Sequence, residues 1–190
     1  MTNEANIKAA LMDEAGVRRA LMRITHEIIE KNKGCENLCL VGIRRRGVPM
    51  AKILRDNLYA VEGAVVPMGE LDITMFRDDL TEKEPASLAG TESLGIDIHG
   101  KHVVLVDDVL YTGRTIRAAI EALFAAGRPR SVQLAVLIAR GHRELPIRPD
   151  YVGKNVPTSH EEVIDVHFTD VDGDTGAYLC SKSDGMPDNQ

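Results

Sequence analysis

Hydrophobic and polar positions change their period along this chain, and the changes separate helices from strands. Between Asp13 and Gly34, Val17, Leu21, Ile24 and Ile28 recur at helical spacing, which predicts an amphipathic helix capped by Asp13 and stopped at Gly34. Arg19, Arg23 and His26 make a second stripe on another face of that helix. Residues 38–43, 64–68, 103–106, 132–139 and 163–168 are short runs rich in Val, Ile and Leu, which read as strands, and residues 71–75 alternate as an edge or antiparallel strand does. Further helices are expected over residues 49–59, begun by Pro49, and 113–126, stopped by Gly127. Residues 76–100 are charged and aperiodic, a long flexible loop of the kind that serves as a lid or a binding loop or is disordered. Residues 140–159, with three prolines, read as irregular, and Gly, Asp and Ser dominate from Thr169 onward, as in a frayed tail.

Strands alternating with helices imply an α/β fold with a mostly parallel central sheet flanked by helices. The length of 190 residues fits one domain, placed here at residues 1–168 with a flexible tail at 169–190. Ligands of such sheets bind beyond the carboxyl ends of the strands. The segments after Ile43, Val106 and Ala139 share that edge, so stretches far apart in sequence can build one site.

Composition narrows the setting. Trp is absent, so Val, Ile, Leu, Ala and Met must fill the core. No apolar stretch approaches membrane-spanning length and residues 1–10 lack an export pattern, so a cytoplasmic protein is expected. Cys35, Cys39 and Cys180 read as reduced thiols; Cys35 and Cys39 have no second Cys/His cluster to complete a metal site. The net charge of −6 argues against indiscriminate nucleic-acid binding. Its distribution does not exclude a local basic face, because positive residues gather at 18–23, 44–46 and 140–154.

The chemistry concentrates where a buried strand runs into Asp107, Asp108, Val109, Leu110, Tyr111, Thr112, Gly113, Arg114 and Thr115. A turn opening a helix aims backbone N–H groups and the positive helix end at one point, suited to a phosphate monoester. Thr112 and Thr115 add hydroxyls and Gly113 permits close approach. The paired carboxylates suit vicinal hydroxyls or the waters of Mg²⁺. Phosphate donors at one end and carboxylates at the other fit a ribose 5-phosphate.

This segment resembles the phosphoribosyl pyrophosphate (PRPP) signature of type I phosphoribosyltransferases. More narrowly, the chain is similar to the PyrR family, bacterial pyrimidine-operon regulators with uracil phosphoribosyltransferase activity. The likeness includes Arg18-Arg19-Ala20-Leu21, His26-Glu27, Val41-Gly42-Ile43, Arg46-Gly47, Asp72-Ile73-Thr74, Arg77-Asp78-Asp79-Leu80 and Arg140-Gly141-His142-Arg143-Glu144-Leu145-Pro146-Ile147-Arg148. It continues through Asp150-Tyr151 and Gly153-Lys154-Asn155, covering about residues 13–166.

The resemblance implies a type I phosphoribosyltransferase fold with a long loop and a small hood, and it implies roles. Residues 107–115 would bind PRPP or nucleotide, with Asp107 and Asp108 catalytic and near an Mg²⁺ carried mainly by PRPP. Arg44, Arg45, Arg46, Gly47 and Arg77 would hold pyrophosphate. Backbone groups around Ala139, Arg140 and Val152 would read uracil. Tyr111 stands where purine-specific relatives commonly carry a carboxylate, and a phenol is no anionic base near neutral pH, which argues against a purine acceptor. The family also binds a hairpin in the leader mRNA of pyrimidine genes, more tightly with UMP or UTP, and so attenuates transcription. Arg19, Arg23, His26, His142, Arg143, Arg148 and Lys154 are the expected RNA contacts. Met22 departs from this pattern, since a small hydroxyl residue is expected there. A homodimer, possibly assembling further, is implied. The alternative is a phosphoribosyltransferase for another base with no RNA role.

Overall fold

The computed structural model describes residues 7–76 and 94–182. In chain order the elements are β1 (Ile7–Met12), α1 (Glu14–Asn32), β2 (Leu38–Ile43), α2 (Gly47–Glu62), β3 (Met68–Leu71), β4 (His102–Leu110), α3 (Arg114–Ala126), β5 (Ser131–Ala139), β6 (Tyr151–Asn155), β7 (Glu162–His167), α4 (Thr169–Asp172) and β8 (Gly176–Ser181). Five strands form a parallel sheet in the order β3-β2-β4-β5-β6. This is the flanked parallel sheet that the sequence predicts.

Alternation along the strands builds two cores. Leu38, Leu40, Val104, Val106 and Leu137 pack on one face with α1 and α2. Cys39, Val41, Ile43, Val103, Leu105 and Val136 pack on the other with α3. Strands covered on both faces are apolar at nearly every position, which is why they read as near-continuous runs. No helix among the described residues is long and apolar enough to cross a membrane. Cys35, Cys39 and Cys180 are unpaired, and burial pushes the Cys39 thiol up to about 11.

Helix α1 begins as predicted, with Asp13 Oδ1 accepting a 2.7 Å bond from the Gly16 amide. At its far end Lys33 takes the left-handed conformation (φ 56°), followed by Gly34. A polar cluster docks α1 on the sheet: Tyr151 Oη donates to Gln133 Oε1 at 2.6 Å, and Asn32 Nδ2 donates to the same oxygen at 3.0 Å. Burial pushes the Tyr151 phenol up to about 12.

Four expectations need correction. Strand β3 covers Met68–Leu71 and pairs parallel with β2. The stretch that looked like an alternating edge strand therefore splits into the end of β3 and a 3-10 turn at Thr74–Phe76. The stretch read as irregular contains β6 at Tyr151–Asn155, which its two β-branched and aromatic residues were too few to announce. The supposed tail does not fray at residues 169–182, where α4 and β8 form. Strand β8 sits between β1 and β7 in an antiparallel three-stranded sheet, a hood separate from the main sheet. Residues 77–93, most of the predicted loop, and 183–190 lie outside the described residues.

His167 helps hold the hood. Its Nδ1 lies 2.7 Å from Asp174 Oδ1 and its Nε2 lies 3.1 Å from Asp165 Oδ2. Only an imidazolium donates from both nitrogens. Burial lowers the affinity of His167 for a proton, but the bonds and charges of Asp174 and Asp165 outweigh it and raise the pKa overall. A raised folded-state pKa stabilises fully below the unfolded value of about 6.5 and is lost as pH climbs through the folded value. The melting-temperature gap between wild type and His167→Gln should therefore be larger at pH 5 than at pH 9, by roughly 2–4 °C per kcal/mol lost. Thermal melts across pH check this, and a gap independent of pH refutes it.

Candidate active site

The apolar run of β4 ends in two buried carboxylates, with Asp107 at 7% and Asp108 at 5% exposure. Asp107 Oδ1 accepts the Asp108 amide at 3.0 Å, and Asp108 Oδ1 accepts the Val109 amide at 2.9 Å. Burial and then the neighbouring charge drive the Asp107 pKa well above the usual range. Burial raises Asp108 too, while the Arg46 guanidinium pulls it back. A pair that resists full ionisation is stabilised by any positive charge brought alongside.

Arg46 reaches this place because β2 and β4 are adjacent and parallel, so the turns after them lie at the same sheet edge. Gly47 makes the approach possible: a Cβ there would stand 2.3 Å from the Val106 carbonyl oxygen. The Arg44 amide donates to Leu71 O at 3.0 Å, which joins the arginine turn to the end of β3. The Arg44 side chain sits 3.5 Å from both Glu70 and Asp72.

Together these segments enclose a cavity of about 590 Å³ lined by Arg44, Arg45, Arg46, Asp72, Thr74, Asp107, Asp108 and Thr115, with Ile43 and Ile73. Two of the sequence-predicted segments, the arginine turn and the stretch from Asp107 to Thr115, thus meet. Asp72 and Thr74 line the cavity although no role was assigned to them. Asp72 Oδ1 accepts both the amide and the hydroxyl of Thr74, at 2.9 and 2.6 Å, and those bonds lower its pKa. Their signal was the Asp-Ile-Thr triplet within the alternating stretch.

The turn from Tyr111 to Thr115 continues from β4 into α3. Gly113 takes φ 94° and caps α3 without a side-chain hydrogen bond, and Thr112 Oγ1 accepts the Arg114 amide at 3.3 Å. The helix start thereby keeps N–H groups for an anion. Arg114 itself is paired with Glu144 at 2.7 Å, and the Glu144 amide donates to Thr112 O at 2.9 Å, so the 140–150 connection braces this turn. Val109 and Leu110 are buried in the two cores. The Tyr111 ring lies under the Arg140 guanidinium, 3.8 Å from its carbon.

The three residues predicted to read a base do not line the 590 Å³ cavity. Ala139 O accepts the Val156 amide at 2.9 Å, the Arg140 amide donates to Leu110 O at 3.0 Å, and Val152 O accepts from Arg23 Nη2 at 3.1 Å. The Arg140 N–H is therefore spent within the chain. Arg77 lies outside the described residues.

The predicted basic face divides into two places. Arg19, Arg23 and Lys154 line a cavity of about 700 Å³ between β1, α1 and β6. There Arg23 bonds Glu27, Val152 O and Gly153 O, and Lys154 Nζ donates to Leu11 O at 3.1 Å. His26 is exposed on α1, and Arg143 and Arg148 are exposed on the 140–150 connection, outside that lining. His142 turns inward, with Nε2 2.6 Å from Thr158 O and its ring 4.0 Å from that of His160.

Comparison with known proteins agrees with this geometry. The phosphoribosyl transferase domain profile matches residues 9–169. The hypoxanthine phosphoribosyltransferase of Staphylococcus aureus superposes with a TM-score of 0.69 at 18% identity, covering 97% of this chain and 98% of that one. The corresponding enzyme of Trypanosoma cruzi gives 0.71 at 20% identity, covering 93% and 96%. Similarity in sequence is far higher to proteins called bifunctional protein PyrR. The one from Acetivibrio thermocellus is 60% identical over 166 residues, 87% of this chain and 90% of its own length. The one from Pelotomaculum thermopropionicum is 56% identical over 180 residues, 95% and 99% of the two chains. A phosphoribosyltransferase fold, a carboxylate pair facing an arginine turn across one cavity, and this level of identity place the chain in the PyrR family of type I phosphoribosyltransferases.

Proposed function

We propose that this protein joins uracil to PRPP, forming UMP and diphosphate, and binds the leader mRNA of pyrimidine genes in a uridine-nucleotide-dependent way that attenuates transcription. One observation carries the enzymatic half: the 590 Å³ cavity has carboxylates on one wall and arginines on another, with Thr115 at the mouth of α3. That arrangement matches the charges of PRPP, with its 5-phosphate on Thr112, Gly113, Arg114 and Thr115 and its diphosphate on Arg44, Arg45 and Arg46. The 56–60% identity to bifunctional PyrR proteins favours this reading over transfer to another base without an RNA role.

In the reaction the bond from C1 to the diphosphate oxygen breaks, a bond from uracil N1 to C1 forms, and the N1 proton leaves. Positive charge develops on the ribose as the leaving group departs. Asp107 and Asp108 bind the ribose hydroxyls and, where ionised, stabilise that charge. The arginine turn receives the growing negative charge on diphosphate. Carbonyls near Ala139 and Val152 orient the pyrimidine, and polarising the uracil carbonyls acidifies N1–H enough to need no dedicated base.

Mg²⁺ fits these residues as an ion brought by PRPP. No cluster of three or more His, Cys, Asp or Glu among the described residues could cage a metal alone. Two carboxylates beside an anion-binding turn suit an ion that keeps its waters and substrate phosphates. When bound it neutralises diphosphate charge. Asp107 and Asp108 would hold its waters.

The RNA half rests on the exposed cations. Arg19, Arg23 and Lys154 share one cavity, and phosphate contacts with a few unpaired bases need such a local face rather than net positive charge. Val152 links the two halves, because the strand proposed to orient uracil also bonds Arg23 on the basic face.

Two outcomes follow. Asp107→Asn with Asp108→Asn should abolish UMP formation from uracil and PRPP, a loss of at least about 10³-fold, with the fold retained; radiolabelled uracil conversion and circular dichroism measure it. Retained turnover contradicts the assignment. Arg143→Ala with Lys154→Ala should weaken filter binding of the native leader about tenfold in the presence of UMP. It should also flatten the salt dependence by roughly 1.5–2 units of slope, somewhat under one for each cation removed; unchanged binding rejects this face.

A further inference from the structure

Arg46 is anchored by the hood rather than by its own turn. Its Nε lies 3.3 Å from Asp172 Oδ2 and its Nη2 lies 3.1 Å from Asp172 Oδ1, a fork-to-fork pair. Asp165 Oδ1 stands 3.4 Å from the same Nη2. Both carboxylates are themselves oriented. The Phe168 amide donates to Asp172 Oδ2 at 3.0 Å, and His167 Nε2 holds Asp165 Oδ2 at 3.1 Å. Behind His167 stands Asp174, which accepts the Tyr178 hydroxyl at 3.0 Å. The bonds run from β8 through β7 and α4 to the turn before α2.

We infer that Asp172, seconded by Asp165, is a positioning residue for diphosphate binding: it fixes the plane of Arg46 so that the Nη1 edge faces the cavity. The inference rests on the reading of Arg46 as a diphosphate ligand. A fork pair commits the Nε and Nη2 edge and removes rotation of the guanidinium about its stem. What remains for the cavity that Arg46 lines is a donor edge of fixed direction, and pre-orientation lowers the entropy lost when diphosphate binds. Arg46 also exerts its charge on Asp108, so the same anchoring fixes its distance from the carboxylate pair. Hood and arginine turn thereby move as one body, although they lie more than 100 residues apart in sequence.

Kinetics in both directions test this, using UMP formation and its reversal by diphosphate. Asp172→Asn should raise KM for PRPP and for diphosphate about tenfold while KM for uracil stays within about twofold. Asp172→Glu, which keeps the charge, should recover part of the loss. Arg46→Ala should raise the same two constants at least as much, and Arg46→Ala/Asp172→Asn should be no worse than Arg46→Ala, because the two residues act as a unit. If Arg46→Ala leaves KM for diphosphate unchanged, the diphosphate reading fails and the inference with it. If Arg46→Ala raises it and Asp172→Asn does not, the reading stands and the positioning role is overturned. A lowered KM in Asp172→Asn, meaning that the carboxylate competes with diphosphate, overturns it too, as does an equal rise in all three constants. Should Asp172→Asn fail to fold for want of the Phe168 contact, Asp165→Asn decides instead: a rise of about threefold confined to PRPP and diphosphate supports the inference, and none overturns it.

Discussion

Two neighbouring carboxylates buried at the end of a central strand set the terms for everything around them. Asp107 and Asp108 are withdrawn from water, and each accepts an amide hydrogen bond from its own strand end. Such a pair is tolerable in a folded chain when protons are partly retained or cations stand close. The architecture supplies the second remedy through Arg46, carried on the adjacent parallel strand, and leaves part of the deficit for substrate to fill. Gly47 is indispensable to this, since any side chain there would drive the arginine turn off the Val106 carbonyl.

The fold was largely legible because its core strands are buried on both faces. Residues 38–43 and 132–139 announce themselves as almost wholly apolar runs, and Asp13 and Gly127 mark helix ends by ordinary capping chemistry. Of the hood, only β7 was legible, as the apolar run at residues 163–168. Ile7–Met12 and Gly176–Ser181 acquire strand character by pairing with one another from positions far apart in the sequence. Local composition cannot report a partner so distant, so a stretch rich in Gly and Asp looked like a tail. Tyr151–Asn155 was hidden for a related reason: it is an edge strand whose carbonyls are covered by Arg23.

The site divides in the same way. The carboxylates, the turn into α3 and the arginine turn could be placed together from the rule that parallel strands present their loops at one edge. The contribution of Asp72 and Thr74 was harder to see, because the residues that look like an alternating strand are a strand end followed by a tight turn. His142 shows the limit in the other direction. Its charge-rich neighbourhood suggested an outward-facing contact, whereas the ring is held by Thr158 and packs at a tilt against His160. Residue type and spacing indicate what a side chain is able to do; only packing decides which way it faces.

The pairing of β1 with β8 has a consequence for synthesis. Strand β1 has no strand partner until β8 has been made, because β8 lies between β1 and β7. The parallel sheet can assemble earlier, but the covering layer that anchors Arg46 cannot. A polypeptide lacking β8 would therefore display the cavity edge without its clasp.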